Sequence, residues 1–191
     1  YSSYSQIEMP FDSWADQNPH LELDFRRFWN VQWRRFQKSQ IDILQKLSPG
    51  RSITHNFMTL FTDLCPWEMS KDLDFPGFDH YQMEENPHPV SSAWQFGLMR
   101  SLKNNRKFTI LEQQPLQVNW QRVNRRYSYD WLFLWTMQSA FQGCNGMLYF
   151  SWRRFSGGAE QHHDGIVPHD IRVRESWQEK MLRLTHKFFS I

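Results

Sequence analysis

The chain has 191 residues, one domain's length, and its 22 Lys and Arg against 20 Asp and Glu leave a net charge of +2. That balance gives no electrostatic basis for binding nucleic acid or an anionic membrane. Its 16 Phe, 10 Trp and 6 Tyr exclude a disordered chain, and the lack of an apolar run of about 18 residues excludes a transmembrane helix. Two cysteines, Cys65 and Cys144, exclude a disulfide-dense scaffold and a four-thiolate zinc site; they point to a reducing compartment, hence a cytoplasmic protein. Tyr1-Ser2-Ser3-Tyr4 opens without Met, a basic segment or an apolar signal core, so either residues were removed or the sequence is part of a longer chain.

Residues 1–20 are aromatic and polar, with Pro10 and Pro19, and read as an ordered loop. A helix is predicted from Leu21 to Leu47. Phe25, Phe28, Gln32, Phe36, Ile43, Leu44 and Leu47 approximate one stripe, and Arg26, Arg27, Arg34 and Arg35 lie mostly outside it. Pro49-Gly50 stops it. The β-branched run Ser52–Phe57 predicts a strand, and a short helix follows over Pro66–Lys71. Gly77–Tyr81 is a second strand candidate, weakened by Pro76. After a loop at Glu84–Pro89 come a helix over Val90–Leu102, a strand over Lys107–Leu111 and a long loop over Gln113–Tyr127. Asp130–Gln142 is an apolar helix ended by Gly143, and Gly146–Phe150 is the fourth strand. The loop Trp152–His169 and a closing helix over Asp170–Phe188 complete the chain. Strands alternating with helices predict an α/β fold with a parallel sheet, either doubly wound or part of a (β/α)8 barrel. A whole barrel takes about 250 residues and eight strands, more than this chain holds.

In such folds ligands bind at the carboxyl ends of the strands. Asn56 follows the first strand, and Asp79, His80 and Tyr81 end the second. Glu112, Gln113, Gln114 and Trp120 follow the third, and Trp152, Arg153, Glu160, His162 and His163 the fourth. Amides, carboxylates and aromatic faces together suit a neutral polar ligand such as a sugar. Glu112 is the sharpest of these: a carboxylate leaving a buried strand costs desolvation unless it is hydrogen-bonded or functional. A capped turn is the plain alternative. No metal is assigned to His162, His163, His169 and Glu160, because adjacent histidines diverge in extended chain and no two-His helix motif is present. Gly157-Gly158 lacks the Lys and spacing of a phosphate loop and reads as a hinge. Trp131, Phe133 and Trp135 within a helix are expected in the core.

The run Leu111-Glu112-Gln113-Gln114-Pro115, with Val118-Asn119-Trp120, resembles the nucleophile segment of glycoside hydrolase family 42, the β-galactosidases. Phe150-Ser151-Trp152-Arg153, Gly158-Ala159-Glu160-Gln161-His162-His163 and Val167-Pro168-His169 resemble that family's eighth-strand segment. Thr54-His55-Asn56-Phe57-Met58 resembles the fifth strand and Phe78-Asp79-His80-Tyr81 the sixth. Asn18-Pro19-His20-Leu21-Glu22-Leu23-Asp24-Phe25 resembles the start of the helix after strand four.

The resemblance implies about half of a (β/α)8 barrel, strands five to eight, in a catalytic domain whose first half and smaller C-terminal domains lie outside residues 1–191. It implies a retaining β-galactosidase that removes terminal non-reducing β-D-galactosides, with Glu112 as nucleophile and Tyr81, Trp120, Phe150, Glu160 and His163 lining the sugar subsite. No cofactor or metal is implied within the chain. A homo-oligomer, a trimer in the family's usual form, is implied as well. The acid/base belongs to an upstream Asn-Glu motif, and no Asn-Glu dipeptide occurs here, so the isolated segment is expected to be inactive. The chain departs from the family at several points. The usual Asp-Asn-Tyr-Pro is Asp79-His80-Tyr81-Gln82, the Arg after Asn-Trp is Gln121, and Gln-Trp-Arg is Ser151-Trp152-Arg153. These departures leave open a related β-glycosidase of other sugar specificity. A non-catalytic sugar-binding module and an unrelated doubly wound domain are the competing classes. The retained Glu112 counts against the former, and the lack of a Gly-rich first turn against the latter.

Overall fold

The computed structural model describes residues 2–3, 6, 10, 18–58, 61, 63–82, 88–104, 107–170, 183 and 186–187. Most of the expected N-terminal loop, of the Glu84–Pro89 loop and of the Asp170–Phe188 helix lies outside the described residues. The chain divides into two compact units, Tyr1–Ile53 with Leu60–Leu73, and Thr54–Thr59 with Asp74–Ile191.

The first unit is built on α1, Pro19–Leu47. Asn18 caps it by accepting from the His20 N–H at 3.0 Å, and Pro19 occupies the first turn, where its missing N–H costs nothing. A short helix, α2 (Pro66–Ser70), packs along it. The contact follows Asn30, Arg34, Gln37 and Ile41, spaced four, three and four apart and so on one face of α1. Asn30 Oδ1 accepts from the Cys65 N–H at 2.5 Å, Gln37 donates to the Met69 carbonyl at 2.8 Å, and Arg34 pairs with Asp72 at 2.8 Å. The buried residues of α1 are Gln37 and Ile41, and the apolar stripe including Phe28, Phe36, Ile43, Leu44 and Leu47 is exposed in this chain.

The second unit holds a four-stranded sheet. Its strands are β1 (Asn56–Phe57), β2 (Gly77–His80), β3 (Phe108–Gln113) and β4 (Cys144–Tyr149). All pairs are parallel and the spatial order follows the chain order, β1-β2-β3-β4. A doubly wound sheet reverses its strand order at a switch point; this sheet has no reversal among its described strands, as a barrel requires. The first strand is shorter than predicted, because only Asn56 and Phe57 find ladder partners, in Gly77 and Phe78.

Helices α3 (Pro89–Ser101) and α4 (Tyr129–Phe141) flank the strands. Phe96 of α3 lies against Phe78 and Phe108 with ring centroids 6.0 and 5.6 Å apart, and all three rings are fully buried. One sheet face is thus committed to the helix layer. The second cluster is Leu116, Tyr127, Leu132 and Trp135. Trp135 is buried as expected and Trp131 packs against that cluster, but Phe133 is exposed: the positions two apart on α4 point to different sides. Gly143, at φ +99°, ends the helix in a conformation that side chains avoid.

Candidate active site

β3 runs two residues further than its apolar stretch, through Glu112 and Gln113. Phe78 pairs with Ile110, but the next residue, Asp79, pairs with Glu112. Leu111 is thus an extra residue on β3, a bulge of the kind that re-aims side chains beside functional sites. In uninterrupted register Asp79 would face Leu111. With the bulge, the two carboxyl-bearing residues are neighbours at the carboxyl ends of adjacent strands.

Glu112 has a donor on each oxygen. The Tyr81 hydroxyl donates to Oε2 at 2.9 Å, and the Asn56 amide approaches Oε1 at 3.4 Å. The other hydrogen of the same Asn56 nitrogen goes to Asp79 Oδ1 at 2.8 Å. The three strands β1, β2 and β3 therefore converge on one carboxylate. Burial, with the negative charge of Glu112, pushes the Asp79 pKa up to about 6 against the opposing bond from Asn56. Burial and the bond to Glu112 push the Tyr81 phenol well above its ordinary value, so Tyr81 remains a donor.

Aromatic rings border this group. Trp120, exposed at its loop tip, meets the Tyr81 ring edge-to-face at 5.4 Å. His163 lies 6.2 Å from Tyr81 and 5.4 Å from Phe150, nearly perpendicular to both. His163 is buried. Burial lowers its pKa while the charge of Glu160 opposes the shift. The His163 N–H donates to the Glu160 carbonyl at 2.9 Å in a turn that Gly158 enters at φ +87°. That turn gathers the pair predicted from a spacing of three.

The five residues expected around Glu112 are linked through this ring and charge network. Tyr81 touches Glu112, Trp120 and His163, Phe150 touches His163, and the Glu160 charge acts on both Tyr81 and His163. His162 diverges from His163. It borders a separate cavity of about 260 Å³ with Gln117, Arg126, Arg154, Asp164 and His169. Among the described residues no three His, Cys, Asp or Glu side chains are grouped as metal ligands.

The site has members beyond that expected set. Asn56 and Asp79 sit at strand ends, and the Asn56 amide bridges Asp79 and the central carboxylate; the signal was a carboxylate within the strand Gly77-Phe78-Asp79. A second addition is a layer of fully buried polar side chains, His80, Gln82, Ser92, Gln113 and Gln114, behind it. His80 and the two glutamines after Glu112 are among the strand-end residues read from the sequence; Gln82, as a member of this layer, and Ser92 are not.

The pattern of glycoside hydrolase family 42, described as Beta-galactosidase, matches residues 1–190. A Beta-galactosidase of Thermus thermophilus is 35% identical over 182 residues, covering 87% of this chain and 28% of its own length. A crystal structure of beta-galactosidase from the psychrophilic Marinomonas ef1 superposes with a TM-score of 0.87 at 31% identity, over 98% of this chain and 31% of the other. The beta-galactosidase of the Antarctic haloarchaeon Halorubrum lacusprofundi superposes with a TM-score of 0.89 at 27% identity, over 100% of this chain and 30% of the other. These neighbours are TIM-barrel proteins, in line with a parallel sheet whose strands stand in chain order. The chain spans less than a third of the length of the relatives it matches. With the family pattern covering nearly every residue, and with the strand-end carboxylate in its aromatic surround, the chain belongs to glycoside hydrolase family 42, the β-galactosidases.

Proposed function

We propose that the chain supplies the nucleophile side of a retaining β-galactosidase site, its four strands serving as strands five to eight of a (β/α)8 barrel. The observation that carries this reading is Glu112: a carboxylate at a strand's carboxyl end, held by one donor on each oxygen and bordered by Tyr81, Trp120, Phe150 and His163. Donors on both oxygens fix the orientation of the carboxylate that a nucleophile must present. A Glu112 oxygen attacks the anomeric carbon as the bond to the leaving oxygen breaks, and that oxygen takes a proton from the acid residue of the whole protein. Water then attacks the same carbon and gives its proton to that residue, and the Glu112 carboxylate is released. Trp120 offers a face for the C–H surface of a sugar. Glu160 offers an acceptor for hydroxyls, and His163 stands beside it between Tyr81 and Phe150.

The test uses the intact protein that carries this chain and a fluorinated galactoside that slows the second step. Peptide mapping is expected to find the label on Glu112, and Glu112→Gln is expected to lose the rate, because the amide keeps the shape but cannot attack. A label on another carboxylate, or a product of inverted configuration, overturns the assignment. Chelation is expected to leave activity unchanged, while Glu160→Gln and His163→Ala raise KM.

A further inference from the structure

The buried polar layer behind Glu112 links two tripeptides, His80-Tyr81-Gln82 at the end of β2 and Glu112-Gln113-Gln114 at the end of β3. Gln113 Oε1 lies 2.8 Å from His80 Nδ1, the Gln114 N–H donates to the His80 carbonyl at 3.1 Å, and the Gln82 N–H donates to Gln114 Oε1 at 2.8 Å. The backbone on both sides of Tyr81 is thereby tied to the two residues that follow Glu112. Between those ties the Tyr81 hydroxyl meets Glu112.

The far side closes on α3. Ser92 Oγ lies 3.0 Å from His80 Nε2 and accepts from Gln82 Nε2 at 2.6 Å, and that same amide nitrogen lies 3.1 Å from His80 Nε2. The proton positions follow. Gln113 Oε1 carries no hydrogen, so His80 Nδ1 donates; in the neutral ring the single Nε2 lone pair faces the Ser92 hydroxyl and the Gln82 amide. Burial keeps the ring neutral, its pKa held down at about 4. His80 and Gln82 are also two of the chain's departures from the Asp-Asn-Tyr-Pro pattern that it resembles. They are bonded to one another, and a proline at 82 would have no N–H for Gln114.

We propose that His80 and Gln82, acting through Ser92, Gln113 and Gln114, are positioning residues that hold the Tyr81 hydroxyl on Glu112. This inference rests on the reading of Glu112 as the nucleophile. The layer fixes both strand ends, so the tyrosine delivers its hydrogen bond without a search over backbone or rotamer states.

The experiment is steady-state kinetics of the intact protein on a nitrophenyl β-galactoside, with Glu112→Gln, Tyr81→Phe, His80→Leu and the Tyr81→Phe/His80→Leu double variant. His80→Leu is expected to lower kcat about tenfold or more with KM held within about twofold. In the Tyr81→Phe background it is expected to lower kcat by less than about threefold, because its effect passes through the hydroxyl already removed. Ser92→Ala, a change small enough to spare the fold, is expected to show the same dependence on Tyr81 with a smaller loss. Effects that multiply across the two backgrounds overturn the proposal, as does a His80→Leu or Ser92→Ala enzyme that melts earlier but keeps its kcat. A Glu112→Gln enzyme of full rate overturns the functional reading instead, so the two failures are told apart.

Discussion

The Tyr81 hydroxyl donates to Glu112 Oε2 at 2.9 Å, a bond from a phenol that burial keeps protonated to a carboxylate on the neighbouring strand. Hydrogen bonds to a charged acceptor are worth about 1.5–3 kcal/mol, roughly ten- to a hundredfold in rate when they act in the transition state. Tyr81→Phe in the intact protein is expected to lower kcat within that range. A raised KM with kcat unchanged places the hydroxyl on the sugar and not on the nucleophile.

Trp120 is 44% exposed and touches Tyr81 by its edge, so it carries little of the core. Trp120→Ala is expected to weaken galactoside binding by on the order of 1–2 kcal/mol, the scale of an aromatic contact with its burial, while the melting temperature stays within a degree or two of the parent. Calorimetric titration with galactose beside a thermal melt checks both. A collapsed melt with unchanged affinity makes the residue structural.

Two neighbouring groups pull stability in opposite directions as pH falls. The His80 pKa drops from 6.5 unfolded to about 4 folded, so the unfolded chain binds the proton more tightly. Stability is lost as pH falls from about 6.5 to 4, on the order of 3 kcal/mol in total. The Asp79 pKa rises from 3.8 to about 6, so the folded chain binds that proton more tightly and stability is gained as pH falls through about 6 to 4. Solvent screening makes the share of the partly buried Asp79 the smaller one. Urea midpoints at pH 7 and pH 4.5 are expected to show a steeper acid loss in Asp79→Asn and a shallower one in His80→Asn than in the parent. The reverse order contradicts the assignment of both groups.

Gly165 sits where the loop after β4 folds back on itself. The Ile166 N–H donates to the Ser151 carbonyl at 2.9 Å, the Val167 N–H to the Trp152 carbonyl at 2.7 Å, and the Arg154 N–H to the Val167 carbonyl at 3.2 Å. A Cβ at Gly165 would stand 2.6 Å from the Arg153 carbonyl carbon and the Arg154 nitrogen, both backbone and unable to step aside. Gly165→Ala is expected to cost about 1–3 kcal/mol of stability, the range for overpacking, and to raise KM by disturbing the turn that carries Glu160 and His163. A thermal melt and a substrate titration together check this; a variant matching the parent in both shows that the fold-back does not hold that turn.

The amino-acid sequence alone was enough to read the element types and their alternation. The helix read from Leu21 begins two residues earlier, at Pro19, and ends before Pro49-Gly50; the strands read at Gly77–Tyr81 and Lys107–Leu111 form at Gly77–His80 and Phe108–Gln113, and Gly143 stops α4. Each of these is settled by residues a few positions apart. Motif resemblance singled out Glu112 and the residues around it. Other features depended on partners distant along the chain. The extra residue Leu111 in β3 sets Asp79 beside Glu112, 33 positions away, and no pattern within either strand encodes that register. Asn56 joins them from 56 positions before Glu112. On α1 the hydrogen bonds to residues 32 to 38 positions on set which face meets α2. Local backbone preference acts within a turn or a strand, whereas register, burial and the meeting of carboxylates are decided by which distant side chains complete one another's hydrogen bonds and fill one another's volume. Only the tertiary structure decides those.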